Sequence, residues 1–215
     1  MHEVWEYFSQ LLDAEALLRS GGFYLVVFIV FAETGLFFGF FLPGDYLLFL
    51  SGIFCASGML DVDIGTLCLG LFAAGVMGNF TGYWFGWRTG PMLFKRKDTW
   101  LFKRRYVVMA EEFYHKYGGP ALIIGRFVPI IRTFAPILAG IVQLNFRKFV
   151  LYNLGGAAIW VSLLTLSGFF LGLKFPQISH YIEYIIVGFI TISFTPILIA
   201  LIRNKLHVKS KKSQK

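Results

Sequence analysis

Apolar positions recur at helical spacing over residues 2–19. Val4, Phe8, Leu11, Leu12 and Leu18 fall on one side, and Glu3, Glu6, Gln10 and Asp13 on the other. The pattern predicts an amphipathic helix lying in a membrane interface over 1–20, ended by Gly21-Gly22. The pattern then changes. Residues 23–57 are apolar except for Glu33 and Asp45, and Pro43-Gly44-Asp45 interrupts them. At about 1.5 Å per residue the limb after the break, 46–57, is too short to cross a hydrocarbon core of about 30 Å. The stretch 21–57 therefore reads as a re-entrant hairpin. A full span over 23–42 followed by a half-helix also satisfies the pattern.

Residues 64–87 carry no charge and are long enough to span. Gly70, Gly75, Gly78, Gly82 and Gly86 suit close helix packing there. Asn79-Phe80-Thr81 has the form of a glycosylation sequon but lies within the span, so it is discounted. Asp61 and Asp63 precede the span, and Arg88, Lys95, Arg96, Lys97, Lys103, Arg104 and Arg105 follow it. That asymmetry puts 58–63 outside and the loop 88–118 in the cytoplasm. Within the loop, Tyr106, Met109, Ala110, Phe113 and Tyr117 form one face of a short helix, which Gly118-Gly119-Pro120 stops.

Three further apolar stretches are 120–141, 149–172 and 182–202. If all three crossed, the basic tail 203–215 would end outside, against the positive-inside rule. One must turn back, and 120–145 is the candidate hairpin because it holds Arg126, Pro129, Arg132 and Pro136. Its return places Arg147 and Lys148 in the cytoplasm as well. The predicted fold is an all-α polytopic membrane protein, a single membrane domain over 21–202. It has two opposed re-entrant hairpins, about three full transmembrane helices and a cytoplasmic C-terminus. Glu33 and Pro43 are ten residues apart, as are Arg126 and Pro136, a weak echo of an inverted repeat.

Composition supports this class. The chain has 215 residues, of which 57% are hydrophobic and 15% charged, against about 25% charged in soluble domains. The net charge of +8 comes mainly from two clusters, Arg88 to Lys116 and Arg203 to Lys215. In such a chain these clusters report topology, and no nucleic-acid partner is expected. The acidic N-terminus lacks the basic region of a signal peptide. Cys55 and Cys68 show no metal or redox spacing and read as small buried hydrophobes.

The chemistry concentrates in 125–140. An arginine at the centre of a lipid-facing helix costs about 2.5–3.5 kcal/mol. Arg126 and Arg132 are tolerable at membrane depth only when buried in protein or lining a wet cavity. A guanidinium so placed suits a phosphate. Glu33 and Asp45 in the first hairpin then face Arg126 and Arg132 in the second. The four could simply neutralise each other. In a transporter, the arginines would hold an anionic head group while the acids take up and release protons. The breaks are placed at Pro43, Gly44, Pro129 and Pro136. An enzyme such as a lipid phosphatase is not expected: His2, His115, His180 and His207 all lie outside the apolar segments, and no metal-ligand spacing occurs. No cofactor or metal is expected either. Two acids with two arginines do not form the single-sign ring of an ion channel.

Phe31-Ala32-Glu33-Thr34-Gly35 with Phe41-Leu42-Pro43-Gly44-Asp45 resembles the first signature of the DedA family, also called the SNARE-associated or VTT-domain family. Gly125-Arg126-Phe127-Val128-Pro129-Ile130-Ile131-Arg132, with Pro136 and Ala139-Gly140, is similar to the second, and Asn153, Gly155-Gly156-Ala157 and Trp160 continue the likeness. The resemblance runs from about residue 20 to 172. It implies a bacterial inner-membrane protein with opposed re-entrant hairpins and lipid handling that depends on the proton-motive force. The implied substrates are undecaprenyl phosphate or a phospholipid such as phosphatidylethanolamine. The family's membrane-embedded acids map onto Glu33 and Asp45, and its essential arginines onto Arg126 and Arg132. The expected partners are a lipid phosphate head group, membrane lipids and protons.

Overall fold

The computed structural model describes residues 14–35, 44–95, 112, 114 and 118–175. Several expectations lie outside these residues: the interfacial helix before residue 14, the break at Pro43, most of the basic loop, the stretch 182–202 and the basic tail. Among the described residues the elements are helical. They are α1 (Ala14–Gly35), α2 (Gly44–Ala56), α3 (Ile64–Lys95), α4 (Pro120–Gly125), α5 (Pro129–Ile141), α6 (Phe146–Val161) and α7 (Ser167–Lys174), with one turn of π-helix, Ser162–Leu166, joining α6 to α7. All belong to one compact unit that ends at Pro176.

Each boundary has a local cause. Gly22 (φ 53°) breaks the course of α1, the left-handed conformation being cheap only for glycine. Asp63 caps α3: its carboxylate accepts from the backbone of Gly65 and Thr66, both at 2.8 Å, and from the Thr66 hydroxyl at 2.7 Å. These bonds, led by the hydroxyl, hold the exposed Asp63 carboxyl below its ordinary pKa. Asn145 caps α6 by accepting from Arg147 N and Lys148 N. Between α5 and α6 the chain turns at Gln143, with φ at 52°.

Two helical runs, Ile64–Gly90 and Phe146–Lys174, are apolar and long enough to cross a membrane, and Gly22–Gly35, Gly44–Ala56 and Ile131–Ile141 are shorter apolar helices. Packing inverts the soluble pattern. Tyr24, Phe28, Leu69, Trp84, Ile124, Leu151 and Phe170 are exposed, while Glu33, Thr34, Ser51, Asn79, Arg126, Arg132, Thr133, Asn153 and Thr165 are buried. Large apolar side chains outside, with the few charges withdrawn into the interior, is the arrangement a bilayer selects.

The long helix α3 packs against α1 and α5, α2 packs against α7 and the π turn, and α4 packs against α6. Glycine makes the first of these contacts close, as expected. A Cβ on Gly86 would overlap the Ile137 carbonyl, and one on Gly140 the Tyr83 carbonyl. Tyr83 also ties α3 to the turn after α5 by donating to the Leu144 carbonyl at 2.8 Å.

Three expectations need correction. The helix α3 continues through Arg88 to Lys95 instead of ending at 87. Exposed Trp84 and Trp87 near its end suit the headgroup level, where a helix emerging from the bilayer has no reason to stop at the first charge. Pro136 does not break the stretch 120–145: it lies inside α5, and the chain breaks at Arg126–Val128, just before Pro129. Proline at the first helical position costs no bond, whereas Pro136 only removes the N–H that would reach the Arg132 carbonyl. Cys55 and Cys68 are half-buried, and the Cys55 thiol lies 3.1 Å from the Val62 carbonyl.

Candidate functional site

The four ionisable residues arrive from three helices and one break. Val26, Val30 and Glu33 fall on the buried stripe of α1, so packing of the valines turns the Glu33 carboxyl inward. Asp45 stands in the first turn of α2, where the helix dipole favours a carboxylate. Arg126 lies in the short break between α4 and α5, and Arg132 in the first turn of α5. The cation at Arg132 opposes its own helix dipole, so carboxylates from elsewhere must hold it there.

They do. Arg132 Nη2 donates to Glu33 Oε1 and Arg132 Nη1 to Asp45 Oδ1, joining the two sequence signatures across nearly a hundred residues. The Glu33 and Arg132 side chains are almost wholly buried, and that of Asp45 is 21% exposed. Gly44 permits the approach of Glu33: a Cβ there would coincide with the Glu33 carboxylate. Gly44, expected as a hairpin break, thus also opens the space that the Glu33 carboxyl fills.

Arg126 is treated differently. Among the described residues no carboxylate reaches it. Its Nη2 donates to Asn153 Oδ1 at 2.6 Å and, at 3.4 Å, to the Asn153 carbonyl. Its Nε and Nη1 have no hydrogen-bond partner among the described residues. The expected pairing of two acids with two bases is therefore unequal. Both acids go to Arg132, and Arg126 has no carboxylate partner among the described residues.

Trp160 connects the halves. Its ring lies 4.8 Å from the Arg132 guanidinium and 5.8 Å from that of Arg126, both within cation–π range. Its indole N–H donates to Asp45 Oδ1 at 2.9 Å. Asn153 and Trp160 are seven residues apart and share one buried face of α6. Asn79, dismissed above with its sequon, donates to Asn153 Oδ1 at 3.0 Å, and Asn153 donates to the Val76 carbonyl at 3.2 Å. Sequence reasoning gave none of these three a role. The signal was an asparagine inside a charge-free span and an amide–indole pair at helical spacing on the next one.

Among the described residues no group of three His, Cys, Asp or Glu side chains could hold a metal ion. The site is a largely buried cluster of two carboxylates, two guanidiniums, two amides and an indole.

Comparison with known proteins agrees with the signatures. The VTT domain matches residues 42–170, more than half of the chain. The chain is 38% identical to Protein DedA of Escherichia coli (strain K12) over 183 residues, 85% of this chain and 83% of that protein. It is 39% identical to an uncharacterized membrane protein of Mycobacterium tuberculosis (strain ATCC 25618 / H37Rv) over 194 residues, 89% of this chain and 84% of that one. Inner membrane protein YqjA of Escherichia coli (strain K12) is 34% identical over 190 residues, covering 82% of this chain and 83% of YqjA. No solved structure matches it. With its apolar-outside helices, its buried charged cluster and these relatives along most of its length, the chain is a membrane protein that belongs to the VTT-domain, or DedA, family.

Proposed function

We propose that the protein is a carrier, not an enzyme, that moves a phosphate-bearing lipid such as undecaprenyl phosphate across the bacterial inner membrane. Arg126 and Arg132 form its anion-attracting side, and Glu33 and Asp45 carry a coupled proton. The observation that carries this reading is the uncompensated buried guanidinium of Arg126, two of whose nitrogens have no partner among the described residues. A buried cation without a counter-charge is costly unless an anion visits it. A phosphate monoester offers the charge and acceptor oxygens that a guanidinium prefers. An anion arriving at Arg126 makes the cluster net negative, and a proton on Glu33 or Asp45 restores neutrality. That balance couples lipid to proton. A phosphatase is disfavoured because, among the described residues, the side chains that meet Arg126 are an amide and an indole, neither of them a nucleophile or a general base.

In the proposed arrangement α1 with α2, and α4 with α5, are two re-entrant hairpins of an inverted repeat. The runs 64–90 and 146–174 cross the membrane, and the C-terminus is cytoplasmic. Ser57 and Arg88 are both exposed at opposite ends of this arrangement. In intact cells Ser57→Cys should be labelled by an impermeant thiol reagent and Arg88→Cys should not. Labelling of both from one side would overturn the orientation.

The function is tested by reconstituting the purified protein into vesicles and following transbilayer movement of undecaprenyl phosphate and of phosphatidylethanolamine, with and without a pH gradient. Gradient-dependent movement of undecaprenyl phosphate is the expected result. In Glu33→Gln, Asp45 still pairs with Arg132, so the protein should fold and bind lipid phosphate but lose its response to the gradient. Equal, gradient-independent movement of both lipids would point to a passive scramblase.

A further inference from the structure

The two arginines are held in chemically opposite ways, and the difference assigns them different work. Arg132 is neutralised by carboxylates from α1 and α2. Arg126 is held by an amide. The Asn153 side chain is fixed at both ends, its oxygen accepting from Arg126 and Asn79 and its nitrogen donating to the Val76 carbonyl. An amide supplies a hydrogen bond without a charge, so it orients the guanidinium and leaves its full positive charge in place. A carboxylate at this position would cancel it.

The unpartnered nitrogens of Arg126 are each bordered by a glycine. A Cβ on Gly156, in α6, would stand 3.2 Å from Nε, and one on Gly75, in α3, would stand 3.6 Å from Nη1 and 3.4 Å from the Trp160 ring. Two helices therefore present bare backbone to the same buried guanidinium. At Gly75 the added Cβ meets its neighbours at ordinary van der Waals distances, so the fold as it stands does not demand glycine there. Alanine would be the better helix former. What glycine leaves is room beside a donor.

We propose that the phosphate subsite is the Arg126 half of the cluster alone, walled by Gly75 and Gly156, with Asn153 as the positioning residue that presents Arg126 without neutralising it. Arg132 is then the partner of the acids and does not touch the phosphate. This inference rests on the lipid-phosphate reading and divides its residues between substrate and proton.

The test is binding, measured calorimetrically on the purified full-length protein in uncharged detergent. The probes are dodecyl phosphate, inorganic phosphate, and dodecanol as an uncharged control. Wild type should bind dodecyl phosphate and not dodecanol. Binding of inorganic phosphate with equal affinity would assign the site to the free anion, contrary to a lipid subsite. Gly75→Ala should melt no lower than wild type yet bind dodecyl phosphate at least about tenfold more weakly. Gly155→Ala, at a neighbouring glycine with nothing near its Cβ, should bind within about twofold of wild type. Asn153→Asp should abolish binding by supplying Arg126 with a resident carboxylate. If that variant fails to fold, Gly75→Ala decides alone. Unchanged affinity in Gly75→Ala, with wild type binding, would overturn the subsite and leave the lipid-phosphate reading standing. No binding by wild type would remove both.

Discussion

Arg132→Met should strongly destabilise the protein, whereas Arg126→Met should yield a folded protein that no longer transports. The two arginines are equally buried, so burial alone predicts equal effects. Their partners differ. Removing Arg132 strands the Glu33 and Asp45 carboxylates, and breaking a buried ion pair by deleting one partner costs about 3–5 kcal/mol. Methionine at 126 removes a charge that has no carboxylate among the described residues, and replacing buried charge by a hydrophobe of similar size is often neutral or stabilising. The losses there are the bonds to Asn153, whose side-chain oxygen keeps its bond from Asn79, and the contact with the Trp160 ring. Thermal unfolding in detergent and lipid movement in vesicles, measured on the same preparations, separate the outcomes. Equal loss of stability in both variants would contradict the unequal pairing.

Gly44→Ala should destabilise the protein by disturbing the buried charge cluster. Alanine is the better helix former, so propensity predicts a small gain. The geometry predicts the reverse, because the new methyl would occupy the position of the Glu33 carboxylate. The Glu33 carboxylate must then shift and its bond to Arg132 is strained or lost, up to about 3 kcal/mol for a disrupted buried pair. Glu33→Asp shortens the acid by one methylene and returns the missing space. The double variant Gly44→Ala/Glu33→Asp should therefore be more stable than Gly44→Ala by a coupling of about 1–3 kcal/mol. Melting temperatures of the four proteins in the cycle check this. Additive single effects would mean that Gly44 and Glu33 do not share that space.

The legible part of this protein was its solvent. An uncharged stretch as long as 64–87 crosses lipid as a helix, because a bilayer core leaves the backbone to satisfy its own hydrogen bonds and a barrel strand would be about half as long, and the glycines of that stretch do mediate close packing. The acids and arginines were legible for the same reason. A charge inside an apolar run is too costly to be incidental, and Glu33, Asp45 and Arg132 do meet. Pro136 misled because proline was weighed by its local effect alone. Packing of α5 against α3 holds that helix together across it.

Hydrophobic patterning and the cost of buried charge determined, from the sequence alone, that this is a helical membrane protein with a polar site inside it. Which acid serves which arginine was beyond their reach, because a charge count is blind to direction and all four groups carry one charge each. Only the tertiary structure sent both carboxylates to Arg132 and gave Arg126 to Asn153. That outcome depends on the Val26–Val30–Glu33 stripe, the space over Gly44 and the Asn153–Trp160 face of α6 arriving at one place. These are long-range coincidences of shape, and no local pattern in the chain encodes them.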